Sequence, residues 1–321
     1  MATRSAGKSE GEDTVVEVDG RRLRLRRLEK VLYPSTGTTK AEVLTYVTTV
    51  APALLTQLHQ RPLTRKRWPD GVASSSFFEK NVPRGMPDWV RTVELDAPGS
   101  TKNREKILYP LVEDLAGLVW LVNLAALELH VPQWRVGPRG GVRHPDRLVV
   151  DLDPGEGAGL AECAEVALAV RERLAADGLE CLPVTSGSKG MQLYAPVSGE
   201  QDADVLRSYA HRLAQGLEKD RPDLVVSRMT KVLRGGKVLL DWSQNNSAKT
   251  TVAPYSPRGR ERPCAAAPRT WDELADADTL RQLTLEEVGE RYARDGDLLA
   301  DLGPDAPPGP RVPPGPRVPT S

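Results

Sequence analysis

Apolar residues recur along the chain in two periods, and the period switches several times. Val15–Val18 and Leu23–Leu25 alternate with charged residues about Asp19-Gly20, which predicts a hairpin. Val43, Leu44, Val47, Val50 and Leu54 fall at helical spacing. This predicts a helix over 39–58, with Thr39 as its cap and Pro52 as a bend. Residues 106–129 read as a second helical region, broken at Gly117. A β-rich run over 147–152 ends at Pro154-Gly155. An amphipathic helix over 161–176 closes at Asp177-Gly178, and strands over 182–185 and 191–197 bracket a glycine-rich turn. A helix over 203–219 and a strand over 237–242 follow. The order strand, helix, strand, strand, helix, strand resembles a split βαβ unit, so the fold class is α/β in its α+β form.

The ends differ from this middle. Residues 1–13 are polar and are expected to be disordered. Residues 301–321 contain Pro-Gly-Pro-Arg-Val-Pro twice, at 308–313 and 314–319. That composition is polyproline-like and predicts a solvated tail without a core. A single domain over 14–300 remains. The apolar run at 118–129 is interrupted by Asn123 and Glu128, so no membrane span is expected, and residues 1–20 do not form a secretory signal.

Composition adds three points. Hydrophobic residues make up 39% and charged residues 27% of 321, an ordinary globular profile. Cys163, Cys181 and Cys264 form no paired framework, which excludes a disulfide scaffold and suits a reducing cytoplasm. Lys+Arg and Asp+Glu are equal at 44, yet nine basic residues face three acidic ones over 221–262, and eleven acidic face three basic over 272–305. A basic middle is therefore masked by an acidic end, and a polyanionic partner stays open. Lysine is scarce, 12 against 32 arginines, as in GC-rich bacterial coding, so each lysine that remains carries some information.

Four segments carry candidate chemistry. Asp151 and Asp153 stand two apart on a strand and point to one face, with Val149, while Val150 and Leu152 point to the other. Adjacent carboxylates repel unless a cation joins them, and hard oxygens suit Mg²⁺ or Mn²⁺. The bland reading is that Asp153 only caps the turn before Pro154. Thr185-Ser-Gly-Ser-Lys189-Gly190 lacks Walker A spacing, but its backbone amides and Lys189 could face an anion; it could equally be a plain hairpin turn. Leu240-Asp241-Trp-Ser-Gln-Asn-Asn246 places a third acid in the basic stretch. Three carboxylates could hold two divalent ions, the layout of in-line phosphoryl transfer, with Lys189, Arg234, Lys249 and Arg258 balancing a triphosphate. Phe77 and Phe78, the two phenylalanines of the chain, lie adjacent in a polar setting, downstream of the basic patch Thr64-Arg65-Lys66-Arg67-Trp68. Either one ring stacks on a base, or the strand is buried on both sides.

These strings, with Asn123-Leu-Ala-Ala-Leu-Glu-Leu-His130-Val-Pro-Gln-Trp134 before Val149–Gly157, resemble the polymerase domain of bacterial ligase D, in the archaeo-eukaryotic primase superfamily. The resemblance spans roughly residues 25–299, with the motifs in the family's order. It implies a primase-polymerase fold: an RRM-like catalytic subdomain packed with a smaller N-terminal α/β subdomain. It implies primer extension and gap filling at DNA ends during non-homologous end joining, with ribonucleotide preference and two Mn²⁺ or Mg²⁺ ions. By the same resemblance Asp151, Asp153 and Asp241 are the metal-binding catalytic acids. His130, Ser186, Lys189, Gln244 and Arg258 belong to the nucleotide pocket. Lys66 and Arg234 lie near the incoming nucleotide, Phe78 under its base and Phe77 by the template. Arg67 joins the DNA surface, and Lys30 and Lys40 form a pocket for a downstream 5′-phosphate.

The implied partners are gapped or primer-template DNA and NTP or dNTP, with Ku and a separate ligase as further candidates, at the bacterial nucleoid. No ligase or nuclease module accompanies these motifs, as in a stand-alone member. One departure is visible: Gln192 stands where the family usually has histidine. It motivates an alternative, a catalytically weak module that binds 5′-phosphorylated ends. A sugar-nucleotide transferase using the DxD pair is a third reading; it leaves Lys30, Lys40 and the Phe pair without a role.

Overall fold

The computed structural model describes residues 13–96 and 105–314. A six-stranded sheet forms the unit that the resemblance makes the catalytic one, in the order Val225–Val226, Val238–Asp241, Arg147–Pro154, Met191–Pro196, Leu182–Thr185, Ala267–Pro268. Its four central strands pair antiparallel and, with helices Leu160–Ala176 and Ala203–Asp220, make the split βαβ unit that the order of elements predicts. The result is an RRM-like sheet within an α+β fold. A second, four-stranded sheet runs Thr251–Val252, Ala126–Val131, Thr64–Arg67, Phe77–Glu79.

The central strand Arg147–Pro154 is covered on both faces. Leu148, Val150 and Leu152 join the core beneath the two helices. Val149, with Val184 and Tyr194 of neighbouring strands, joins Leu129 and Val131 of the smaller sheet in the other core. Each fully buried aliphatic side chain contributes about 1.5–3 kcal/mol, so both faces hold the strand in register. Asp151 and Asp153 therefore emerge on the face turned to the N-terminal unit, on the same side as Val149.

Thr39 caps Lys40–Thr49 through a reciprocal capping box with Glu42. The predicted helix over 39–58 is two helices. Pro52 has no N–H for the Thr48 carbonyl, and a second helix, Ala51–Leu58, restarts after Val50 with Pro52 in its first turn. The helical reading of 106–129 is corrected: strand Lys106–Pro110, helix Leu115–Asn123 and strand Ala126–Val131 replace it. Uniform apolarity hid the change of period, and the chain turns at Ala125 with φ +60°.

The tail is also corrected in part. Residues 301–314 pack against the catalytic unit, and Val312 is 1% exposed. The remainder of the predicted tail, and residues 1–12 of the predicted disordered start, lie outside the described residues. The three cysteines are free and buried. Among the described residues no helix is long and apolar enough to cross a membrane.

Candidate active site

Asp151 pairs directly with Asp241 across the antiparallel ladder, and Asp153 follows two residues along. Ligating oxygens of the three lie within 4.8 Å of one another. Ladder register thus gathers acids ninety residues apart in sequence. Burial, then the charges of Asp153 and Asp241, push the Asp151 carboxyl well above its ordinary range, against a hydrogen bond from Gln192 and the charge of Arg258. Burial and Asp241 likewise raise Asp153, opposed by Arg234, Arg258 and Lys249. Asp241 is held in place: the Ser243 amide donates to its Oδ1 at 3.0 Å, Gln244 Nε2 donates to Oδ2 at 2.9 Å, and Lys249 Nζ lies 3.8 Å from Oδ2. The Ser243 hydroxyl donates to it as well. Oxygen-only donors this close together, with the burial and mutual repulsion of the acids outweighing the cations beside them at Asp151 and Asp153, fit a hard divalent cation.

Two glycines let neighbouring loops approach this strand end. A Cβ on Gly155 would stand 1.8 Å from the Arg234 carbonyl, and one on Gly190 would stand 1.9 Å from that of Leu152. The first contact brings the Lys231–Arg234 turn against the mouth of the strand, so Arg234 lines the cleft. The second brings in the loop bearing Ser186 and Lys189. Gln282 braces that loop, accepting from the Gly187 amide at 2.6 Å and donating to the Gly190 carbonyl at 3.0 Å. Lys189 stands exposed at the tip and makes no ion pair among the described residues.

The opposite wall comes from the smaller sheet. Glu128 and His130 alternate on one face, with His130 Nε2 2.9 Å from Glu128 Oε2. Arg258 Nε donates to Glu128 Oε1 at 3.3 Å, and Arg258 Nη1 donates to the Ser186 carbonyl at 2.6 Å, tying the two sheets together. Burial opposes ionisation of Glu128, but His130, Arg258 and Lys66 outweigh it and hold the carboxyl at about 2. Lys66 is the register partner of both Phe78 and Glu128, and its Nζ lies 5.3 Å from the Phe78 ring. Phe78 meets His130 edge-on at 5.5 Å.

Phe77 and Phe78 are 45% and 56% exposed, so the strand is not buried on both sides. Arg67 lies over Phe77 at 5.3 Å and pairs with Glu79 at 3.0 Å. Between the walls a cleft of about 380 Å³ is lined by His130, Asp151, Asp153, Ser186, Lys189, Arg234, Gln244 and Arg258.

Lys30 and Lys40 are brought together elsewhere, and neither lines this cleft. Lys40 is buried, donating to the Arg26 and Asn123 carbonyls at 2.6 and 3.0 Å. Burial, with Lys30 and Arg27 nearby, pulls its amine down to about 8. Lys30 pairs with Asp70 at 2.9 Å.

Sequence reasoning did not single out Glu128, Gln282 or Tyr194. The Glu-Leu-His alternation was a usable signal for Glu128, whereas Gln282 reaches the loop from 92 residues away and leaves no local trace. Gln192 is 5% exposed, and its Oε1 accepts from the Tyr194 hydroxyl at 2.8 Å. That bond turns the amide N–H₂ toward Asp151, which receives a neutral donor there.

The family described as LigD, primase-polymerase domain, matches residues 39–299. The multifunctional non-homologous end joining DNA repair protein LigD of Mycobacterium tuberculosis is 50% identical over 292 residues, covering 89% of this chain and 38% of the relative. The bifunctional LigD of Bacillus subtilis is 32% identical over 276 residues, covering 86% and 43%. The chain thus spans about two fifths of the length of these relatives. Among solved structures, the polymerase domain of Mycobacterium tuberculosis ligase D in complex with DNA superposes with a TM-score of 0.84 at 49% identity, covering 89% of this chain and 99% of that one.

Proposed function

The chain belongs to the LigD primase-polymerase family, and from that premise we propose that it is a template-directed nucleotidyltransferase that extends primers and fills gaps at DNA ends in non-homologous end joining. The observation that carries this reading is the triad Asp151, Asp153 and Asp241, gathered at a cleft that Lys189, Arg234 and Arg258 also line. Mn²⁺ or Mg²⁺ held by the three acids would supply charge neutralisation and Lewis acidity at the phosphates.

The chain's own residues then divide the work. Lys189, Arg234 and Arg258 balance the triphosphate, and Ser186 and His130 orient it. The exposed Phe78 face offers a stacking surface for the incoming base, and Lys66 adds positive charge beside it. Asp241, fixed by Ser243 and Gln244, is positioned to take the proton of a primer 3′-hydroxyl. The nucleophile attacks the α-phosphorus, a new P–O bond forms, and pyrophosphate leaves.

Phe77 and Arg67 offer a template-side surface, and Lys30 with Lys40 a seat for a downstream 5′-phosphate. Ku and a separate ligase are the proposed partners, and the bacterial cytoplasm at the nucleoid is the proposed location. Gln192 does not favour a non-catalytic module, because its amide supports Asp151 rather than leaving it without a neighbour.

The test is primer extension on a gapped duplex bearing a 5′-phosphate, with NTPs and dNTPs, in Mn²⁺ and in Mg²⁺. Incorporation is expected with both ions, with ribonucleotides preferred. No incorporation by folded protein under any of these conditions overturns the reading.

A further inference from the structure

The first Pro-Gly-Pro-Arg-Val-Pro repeat, residues 308–313, is read residue by residue by one edge of the catalytic unit. A Cβ on Gly309 would stand 2.1 Å from the Pro196 carbonyl, so that position takes only glycine. The Ser198 amide donates to the Pro310 carbonyl at 3.1 Å. Arg311 Nε donates to Glu200 at 2.8 Å. Val312 is buried in the cluster that contains Val197, Leu206 and Ala210. The Gln201 side chain brackets Val312, donating to its carbonyl at 3.0 Å and accepting from its amide at 2.8 Å. Arg212 donates to the Pro313 carbonyl at 3.1 Å. Each contact recognises something the motif specifies: an absent side chain, a cation, a small apolar branch, and backbone groups that an extended proline-rich segment leaves unpaired.

We propose that this edge is a peptide-recognition groove for a Pro-Gly-Pro-Arg-Val-Pro segment, and that the second repeat, residues 314–319, is its exchangeable second occupant. The two hexapeptides are identical, so Gly315, Arg317 and Val318 offer the same groups as Gly309, Arg311 and Val312. The offset of six residues is two whole turns of a polyproline helix, which returns every side chain to the same phase. The exchange lengthens the span between buried Leu302 and the docked motif from residues 303–307 to 303–313. Roughly doubling a loop disfavours its closure by about threefold, which places the first register ahead of the second. The segment that rearranges also lines a cavity of about 320 Å³ with Arg143 and His144, so exchange would open that cavity.

Cross-linking in the full chain tests this. Ser198→Cys is combined in turn with Pro310→Cys, Pro316→Cys or the out-of-phase Pro319→Cys, and treated with a short bismaleimide. The Pro310 pair should react fastest. The Pro316 pair should react at least several-fold faster than the Pro319 pair, and faster again when Val312→Asp evicts the first repeat. A Pro316 pair no faster than the Pro319 pair, and indifferent to Val312→Asp, overturns the proposal. Thermal midpoints give a second reading: Val318→Asp should lower the midpoint further in the Val312→Asp background. Equal midpoints for the single and double variants also overturn it.

Discussion

The two walls of the cleft solve the problem of a buried carboxylate in opposite ways. On the smaller sheet, Glu128 is 3% exposed and surrounded by His130, Arg258 and Lys66, and its carboxyl is held at about 2. On the catalytic sheet, Asp151 has two further acids as its nearest charges, and its carboxyl is pushed up. The first wall is electrostatically complete within the chain. The second is not, and burial with two neighbouring acids leaves it with negative charge that a bound cation would neutralise.

The sharpest way to break this contrast is Asp151→Asn. Divalent ions supply several kcal/mol of transition-state stabilisation, so incorporation should fall on the order of 10³-fold or more. The fold should not suffer, because the substitution removes a repelled charge. A midpoint that drops in parallel with activity would mean that the triad is structural. Glu128→Gln should do the reverse. It leaves Arg258 and His130 without their buried partner, at a cost of about 3 kcal/mol in stability by urea titration.

The same opposition should appear as pH dependence. Glu128 contributes stability that is complete above the usual carboxylate range, near 4.5, and is lost as pH falls through about 2. Asp151 and Asp153, raised, contribute stability below that range, and it is lost as pH rises above it. Metal-free protein should therefore gain thermal stability on mild acidification from neutrality, and Mn²⁺ should flatten that gain. An identical pH profile with and without Mn²⁺ would remove the distinction between the walls. The smallest effect is expected from Tyr194→Phe. Losing one neutral hydrogen bond is worth about 1 kcal/mol, so the Mn²⁺ concentration for half-maximal incorporation should rise about fivefold with little change in the rate at saturation.

Much of the catalytic unit was legible because its period switches cleanly. The alternation at 147–153 predicts which face bears the acids, and the ladder places them there. The stretch 106–129 was illegible because apolar residues dominate it and periodicity cannot separate helix from strand in such a run. The tail was misjudged for a different reason: composition says that a segment cannot build a core of its own, not that it cannot join one, as Val312 does. In the candidate site, resemblance supplied the residue set, while the braces Glu128, Tyr194 and Gln282 depend on contacts across the fold that no local spacing records.

The strand Arg147–Pro154 belongs to two cores at once, through Leu148, Val150 and Leu152 on one face and Val149 on the other, with Asp151 and Asp153 on the side of Val149. Deleting or inserting one codon within the strand ahead of Asp151 would therefore reverse the ribbon, turning the acids toward oily helices and Val150 and Leu152 toward the cleft and the smaller sheet. For a library builder this is a segment that admits only apolar exchange at its buried positions and no change of length, whereas the loop that begins at Gly155 carries no such parity.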